Sequence, residues 1–516
     1  MQKKIFSALS LIFPILAYGI TAGNGVIVDS SATDYYNHIT NNSYPSLYRD
    51  IQTHAANIQY VFPDFGYITF QESSDLANGA AINSATTITI GTNASCSPKL
   101  APITGNNTIE FVYTLCNYPQ IQRPYQLPHD EGYVYPPFTE PDLGATLSLA
   151  QTLSYYSSMQ TLTQKTMSVA PFFTYDPNWI VLCQTLYQKN PTTLTNALNS
   201  LAQNIASTIS TSGAGGVGFD NEPGLDKIDN PNNDPDIHPV LQYNFFKTIA
   251  SSLGPNQTLF VFDANTTLQS LYQANVSNVV VLYALYDFES ATEDGSPYGP
   301  YTLSAYGQNS PESGDNVYHI ALNALNLATP FMYVLPGSAT QTLWDSVQVY
   351  NTATPSSGLI NSSSVSSGAC NTQTDPTGEE TNVLSDFLCV TNNTSPPSNT
   401  CPGSPSLSTI QSYLATTNCT AYTNTVNGIA VPQSNMEAYF KAALAAISAA
   451  KTTNPTAFNS YYKGSVLYTW RIPTYADFSC ANHYYSQFST KLSQCIQILP
   501  SMITDTVWTD FANWTP

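Results

Sequence analysis

An α/β fold, a (β/α)8 TIM barrel, is the architecture this sequence predicts, and three observations predict it. Eight short runs rich in β-branched and aromatic residues recur at 25–29, 58–70, 166–173, 216–220, 258–262, 278–286, 331–335 and 465–470. Segments with apolar residues at a helical period fall between most of them, at 143–162, 194–210, 240–253, 317–327 and 436–450. The strand runs are continuously apolar, as a parallel sheet covered on both faces requires. Strands alternating with helices make a parallel sheet, and a count of eight closes it into a barrel.

The chain begins with an address. Lys3 and Lys4 precede the apolar run 5–17, and Ala17-Tyr18-Gly19 supplies small residues for cleavage. Residues 1–22 therefore read as a secretory signal peptide. The run is short for a membrane span, and no later stretch of about 18 uninterrupted apolar residues exists. The mature domain is expected at 23–516, exported to an extracellular or periplasmic space, without membrane insertion.

Two segments interrupt the alternation. Residues 72–142 carry β-like runs at 86–92 and 108–116, and residues 338–433 are rich in Ser, Thr, Asn and Pro. Both follow a strand, so both are expected on the C-terminal face of the barrel, where active sites are built. Each carries cysteines, in keeping with an oxidising compartment. Cys96 and Cys116 bracket an expected hairpin. Cys370, Cys389, Cys401 and Cys419 lie in the second insertion, and Cys480 and Cys495 near the C-terminus. These eight are disulfide candidates whose connectivity stays open, and Cys183 is left over as a buried thiol. With no CxxC pair, no metal site is expected.

Composition narrows the function. Of 516 residues, 14 are Lys or Arg and 34 are Asp or Glu, for a net charge of −20. So few cations cannot easily build a nucleic-acid face or hold an anionic membrane. Charged residues make up 9% and aromatic residues 12%, which excludes a disordered chain. No GxSxG, HExxH or phosphate-binding loop is present.

The run from Gly213 to Gly224 is the most informative. Its GxGxxG at 213–218 follows a helix and precedes a strand, the reverse of a dinucleotide site. Asp220 and Glu222 close that strand. At i and i+2 they point to one side, which in a barrel is the C-terminal mouth. Adjacent carboxyls raise one another's pKa, which leaves an acid protonated near neutral pH. Glycoside cleavage needs such an acid and a second anionic group. A solvated acidic turn is the plain alternative, because Asn221, Pro223 and Gly224 are turn formers. Asp29 and Asp263 also end strands and are candidates for lining the cleft. The Asp/Asn-rich stretch to Asp236 lacks the spacing and glycine of a calcium loop.

These features resemble glycoside hydrolase family 18, the chitinases and endo-β-N-acetylglucosaminidases. The family's fourth-strand signature D-G-x-D-x-D-x-E is similar to Gly215-Gly216-Val217-Gly218-Phe219-Asp220-Asn221-Glu222, with its last two acids kept and its first two replaced by glycine. Ala284-Leu285-Tyr286-Asp287-Phe288 resembles the sixth-strand M-x-Y-D-[FY]. Gly464 to Trp470, followed by Tyr475-Ala-Asp-Phe478, is similar to the eighth-strand motif. Of the third-strand S-x-G-G, Ser168-Val169-Ala170-Pro171 keeps the serine.

The resemblance implies retaining hydrolysis of a β-linked N-acetylglucosaminide with the substrate's acetamide as nucleophile. It implies Glu222 as the acid and Asp220 as the group that orients the acetamide. It gives Tyr286 and Asp287 substrate hydrogen bonds and Trp470 the floor beneath the sugar. No cofactor is implied, and the expected partner of a monomeric protein is a glycan containing N-acetylglucosamine. Two further readings stay open: a lectin-like barrel that binds sugar without cleaving it, and a structural surface protein in which Asp220, Tyr286 and Trp470 do not meet.

Overall fold

A computed structural model describes residues 20–28, 58–97, 100–116, 148–163, 167–222, 224–232, 234, 236–285, 317–336, 433–470 and 505–514. The elements, in chain order, are β1 (Asn24–Val28), β2 (Ile58–Glu72), α1 (Ser74–Ala77), β3 (Thr87–Thr92), β4 (Thr108–Leu115), α2 (Leu149–Thr163), β5 (Ser168–Val169), β6 (Phe172–Tyr175), α3 (Pro177–Lys189), α4 (Pro191–Ser212), β7 (Gly216–Asp220), α5 (Asp226–Asp229) and α6 (Val240–Ser252). There follow β8 (Thr258–Phe262), α7 (Asn265–Gln273), β9 (Val279–Ala284), α8 (Val317–Asn326), β10 (Phe331–Pro336), α9 (Gln433–Thr453), α10 (Pro455–Tyr461), β11 (Tyr462–Trp470) and α11 (Asp505–Asn513).

The sheet runs β1-β11-β10-β9-β8-β7-β6-β2, and β2 returns to β1. Every pairing around this ring is parallel. The result is a closed barrel of eight parallel strands with helices around it. All eight predicted runs fall on barrel strands. The third position is split into β5 and β6, both paired with β2, around Ala170-Pro171. Proline cannot donate to the ladder, which accounts for the break.

The helices obey local rules. Asn190 caps α4 by accepting from the Thr193 N–H, with Pro191 at the first position. One stripe of α4 is buried, from Leu194 through Leu198, Leu201 and Ile205 to Ile209, and the left-handed Gly213 ends the helix. Asp176 caps α3 and also accepts from Thr69 Oγ1 at 2.9 Å, so this strand-end acid is committed to structure.

The apolar interior divides in two. A large cluster fills the layer between strands and helices, with Val217, Phe219, Phe173 and Tyr175 in it. A smaller one fills the barrel itself and includes Tyr60, Phe62, Ala170, Phe172, Phe260, Phe262, Leu282 and Val466. Alternation along each strand produces the division.

The first insertion departs from expectation in one respect. β2 runs past the barrel and pairs antiparallel with β4, but β3 pairs with β4 in parallel, so no β3–β4 hairpin forms. The connection at 93–107 is long enough to carry the chain back to the starting end, as a parallel pair needs. A disulfide joins Cys96 to Cys116, with Cα atoms 5.7 Å apart, and Cys183 is a buried free thiol. Residues 1–19, positions 338–432 of the second insertion and the other six cysteine candidates (Cys370, Cys389, Cys401, Cys419, Cys480 and Cys495) lie outside the described residues. No described helix is long and apolar enough to cross a membrane.

Candidate active site

The site is at the C-terminal mouth, above an aromatic floor. Inside the barrel, the rings of Phe62 and Phe260 meet edge to face with centroids 4.9 Å apart, and Tyr60 approaches Phe260 at 5.3 Å. The Phe172 ring adds an edge contact to Phe62 at 6.4 Å. These side chains pack the barrel interior below the rim.

β7 delivers the central carboxyl. Val217 and Phe219 face the helices, so Gly218 and Asp220 face the interior. Asp220 is half-buried at the strand's last position. Its pKa is pushed up to about 7, first by burial and then by the charges of Asp64 and Asp263, while a hydrogen bond from the Glu222 backbone N–H opposes the rise. Oδ1 of Asp220 is buried and accepts no hydrogen bond among the described residues. This carboxyl therefore changes charge near neutral pH, as an acid–base group requires.

Glu222, two residues on, is exposed at the rim. Between them Asn221 is fully buried and fixes the turn. Its Nδ2 donates to Gln242 Oε1 at 2.9 Å and to the Asp263 carbonyl at 3.0 Å. Gln242 Oε1 also accepts from the Asp226 N–H at 3.0 Å. The ends of β7 and β8 and the start of α5 are thus tied to one amide pair.

Asp263 is exposed just beyond β8, with φ of 52°. Burial around its carboxyl and the charge of Asp226 raise its pKa, and Lys227 opposes them. Asp64, half-buried on β2, was not singled out by the sequence, yet its charge acts on Asp220. The signal available was parity: it follows Tyr60 and Phe62 at alternate positions of one strand. Tyr175 lies on the outer face of β6, in the layer between strands and helices, stacked on Trp179 and Phe219. Its hydroxyl is buried with no partner among the described residues, and Asp220 and Asp226 both raise its pKa after burial itself.

The two glycines of the fourth-strand run are filled spaces. A Cβ on Gly218 would overlap the Phe172 ring, and one on Gly215 would overlap Ser168 Oγ. The Asp/Asn-rich turn is held by its own hydrogen bonds: Asn230 Nδ2 donates to the Asp234 and Ile237 carbonyls, and Asp229 Oδ2 accepts from the Leu241 N–H. Among the described residues no group of three or more His, Cys, Asp or Glu is arranged to hold a metal ion. Trp470 is the last residue of β11, paired with Val28 of β1, and its side chain is outside the description. Asp29, Tyr286 and Asp287 lie outside the described residues.

Compared with models of known protein families, with curated proteins and with solved structures, the chain matches none of them.

Proposed function

We propose that this chain is an exported glycoside hydrolase that cleaves β-linked N-acetylglucosaminides with retention. The observation that carries the reading is Asp220: an inward carboxyl at the end of the fourth barrel strand, held near a neutral pKa, with Glu222 two residues beyond it at the rim. Glu222 protonates the leaving glycosidic oxygen. The substrate's acetamide oxygen attacks the anomeric carbon. Asp220, ionised at that moment, accepts the acetamide N–H and faces the oxazolinium ion that forms. Water then opens this ion while Glu222 takes back the proton, in the substrate-assisted variant of glycoside cleavage.

Tyr286, Asp287 and Trp470 are the further substrate contacts in this reading, and no cofactor enters it. The leader at 1–22 and the Cys96–Cys116 disulfide support export. The acetamide requirement is the test. Fluorogenic chitobioside should turn over while the matching cellobioside, which lacks the acetamide, does not. Equal turnover of both refutes the mechanism.

One observation favours a second reading, a lectin-like barrel. Phe172 fills the place of an acid that the family's chemistry uses, which leaves Asp220 without that neighbour. Tight binding of chitooligosaccharides without cleavage supports this alternative.

A further inference from the structure

Asp64 stands where none of the sequence motifs points. It follows Pro63 in the middle of β2, an otherwise apolar stretch. Tyr60 and Phe62 belong to the barrel interior, while Phe65 packs in the outer layer. Alternation carries Asp64 inward with the first two. The register shows how the chain holds it there. Asp64 pairs with Phe172 and Gly66 with Phe173, so β2 has an extra residue at this point. Such a bulge re-aims a side chain at a barrel rim. Gly66 permits it by lying against the Phe173 ring, closer than any Cβ could.

Phe172 in turn pairs with Gly218. Asp64, Phe172 and Gly218 thus form one row across the interior, and Asp220 is the next inward position along β7 toward the mouth. With no side chain at 218, the Phe172 ring takes up that part of the row. Both carboxyls are half-buried over the aromatic floor.

We propose that Asp64 and Asp220, inward carboxyls in adjacent rows of the barrel interior, titrate as a coupled pair, with Asp64 a positioning residue on the second strand that keeps Asp220 protonated in the free site. Two neighbouring carboxyls in a poorly solvated site resist double ionisation, so they titrate as a unit. The charge of Asp64 contributes to the raised pKa of Asp220, after burial. As the acetamide N–H arrives, Asp220 releases its proton to solvent at the mouth. The positive charge of the oxazolinium then offsets the two carboxylates. This role in the reaction rests on the glycosidase reading; the pairing does not.

Other groups around Asp220 are Tyr175 from β6, Glu222 beyond β7, Asp226 and Lys227 of α5, and Asp263 beyond β8. The test isolates Asp64 from them. Carbon-13 NMR of carboxyl-labelled aspartate follows Asp220, its resonance assigned by its loss in Asp220→Asn. The wild-type midpoint should lie near 7 and fall by roughly one unit or more in Asp64→Asn, the size of a close like-charge interaction. Asp64→Ser should give the same fall, and Asp64→Glu should hold the midpoint near the wild-type value. The acid limb of kcat/KM should move with the NMR midpoint. A midpoint unmoved in both Asp64→Asn and Asp64→Ser overturns the pair, whatever the activity. A midpoint that moves while the wild type cleaves no N-acetylglucosaminide upholds the pair and overturns the glycosidase reading.

Discussion

Phe172, on the third barrel strand, occupies the space that any side chain at position 218 on the fourth would need. The two positions are parallel neighbours facing the same interior. One large ring and one glycine fill the volume that two mid-sized residues would otherwise share, so the glycine is part of the packing. Gly218→Ala should therefore destabilise the fold by about 1–3 kcal/mol through overpacking. Phe172→Leu should relieve much of that cost, and a double-mutant cycle on unfolding midpoints should show coupling above about 0.5 kcal/mol. Gly218→Asp, which places a larger, charged side chain against the Phe172 ring, should lower the midpoint further and bring no gain in turnover. Additive effects of Gly218→Ala and Phe172→Leu would show that the ring does not sit there.

Asp220 makes stability depend on pH. Its folded pKa, about 7, lies above the ordinary carboxyl value of 3.8. A carboxyl raised in this way contributes its full stability below the unfolded pKa and loses it as pH climbs through the folded pKa. The difference corresponds to a ceiling on the order of 4 kcal/mol, reduced by whatever screening solvent at the mouth provides. Asp220→Asn should match the wild type near pH 4 and exceed it in thermal midpoint at pH 8. Calorimetry at the two values checks this. A variant less stable at pH 8 than at pH 4, relative to wild type, contradicts the assigned environment.

Asn221 ties three elements together from a fully buried position. Asn221→Ala leaves the Gln242 amide and the Asp263 carbonyl short of a donor, at roughly 1–3 kcal/mol for each unsatisfied group. Urea unfolding should register that loss. Asn221→Asp should be comparably costly, because the carboxylate cannot donate to either acceptor.

The barrel was legible because its physics is local. Strands buried on both faces must be apolar without alternation, and eight such runs separated by helical periodicity admit few other arrangements. What stayed hidden needed partners distant in sequence. The parallel pairing of β3 with β4 depends on where the 93–107 connection travels, which neither strand records. Asp220 and Asp263 were readable as strand-end acids, whereas Asp176, also at a strand end, turned out to be a helix cap. Asp64 was overlooked because it interrupts a strand instead of ending one. Its meaning comes from a bulge against Phe172 and from the charge of Asp220, both more than a hundred residues away.

The central claim is that Glu222 protonates the leaving group. The direct measurement is release of the fluorophore from a chitobioside or chitotrioside by the mature protein beside Glu222→Gln, with matched folding shown by circular dichroism. Turnover should fall by about 10²- to 10⁴-fold in the variant, the range for loss of a general acid. Turnover that survives Glu222→Gln unchanged, or a wild type silent on chitin oligomers and N-glycans alike, contradicts the account.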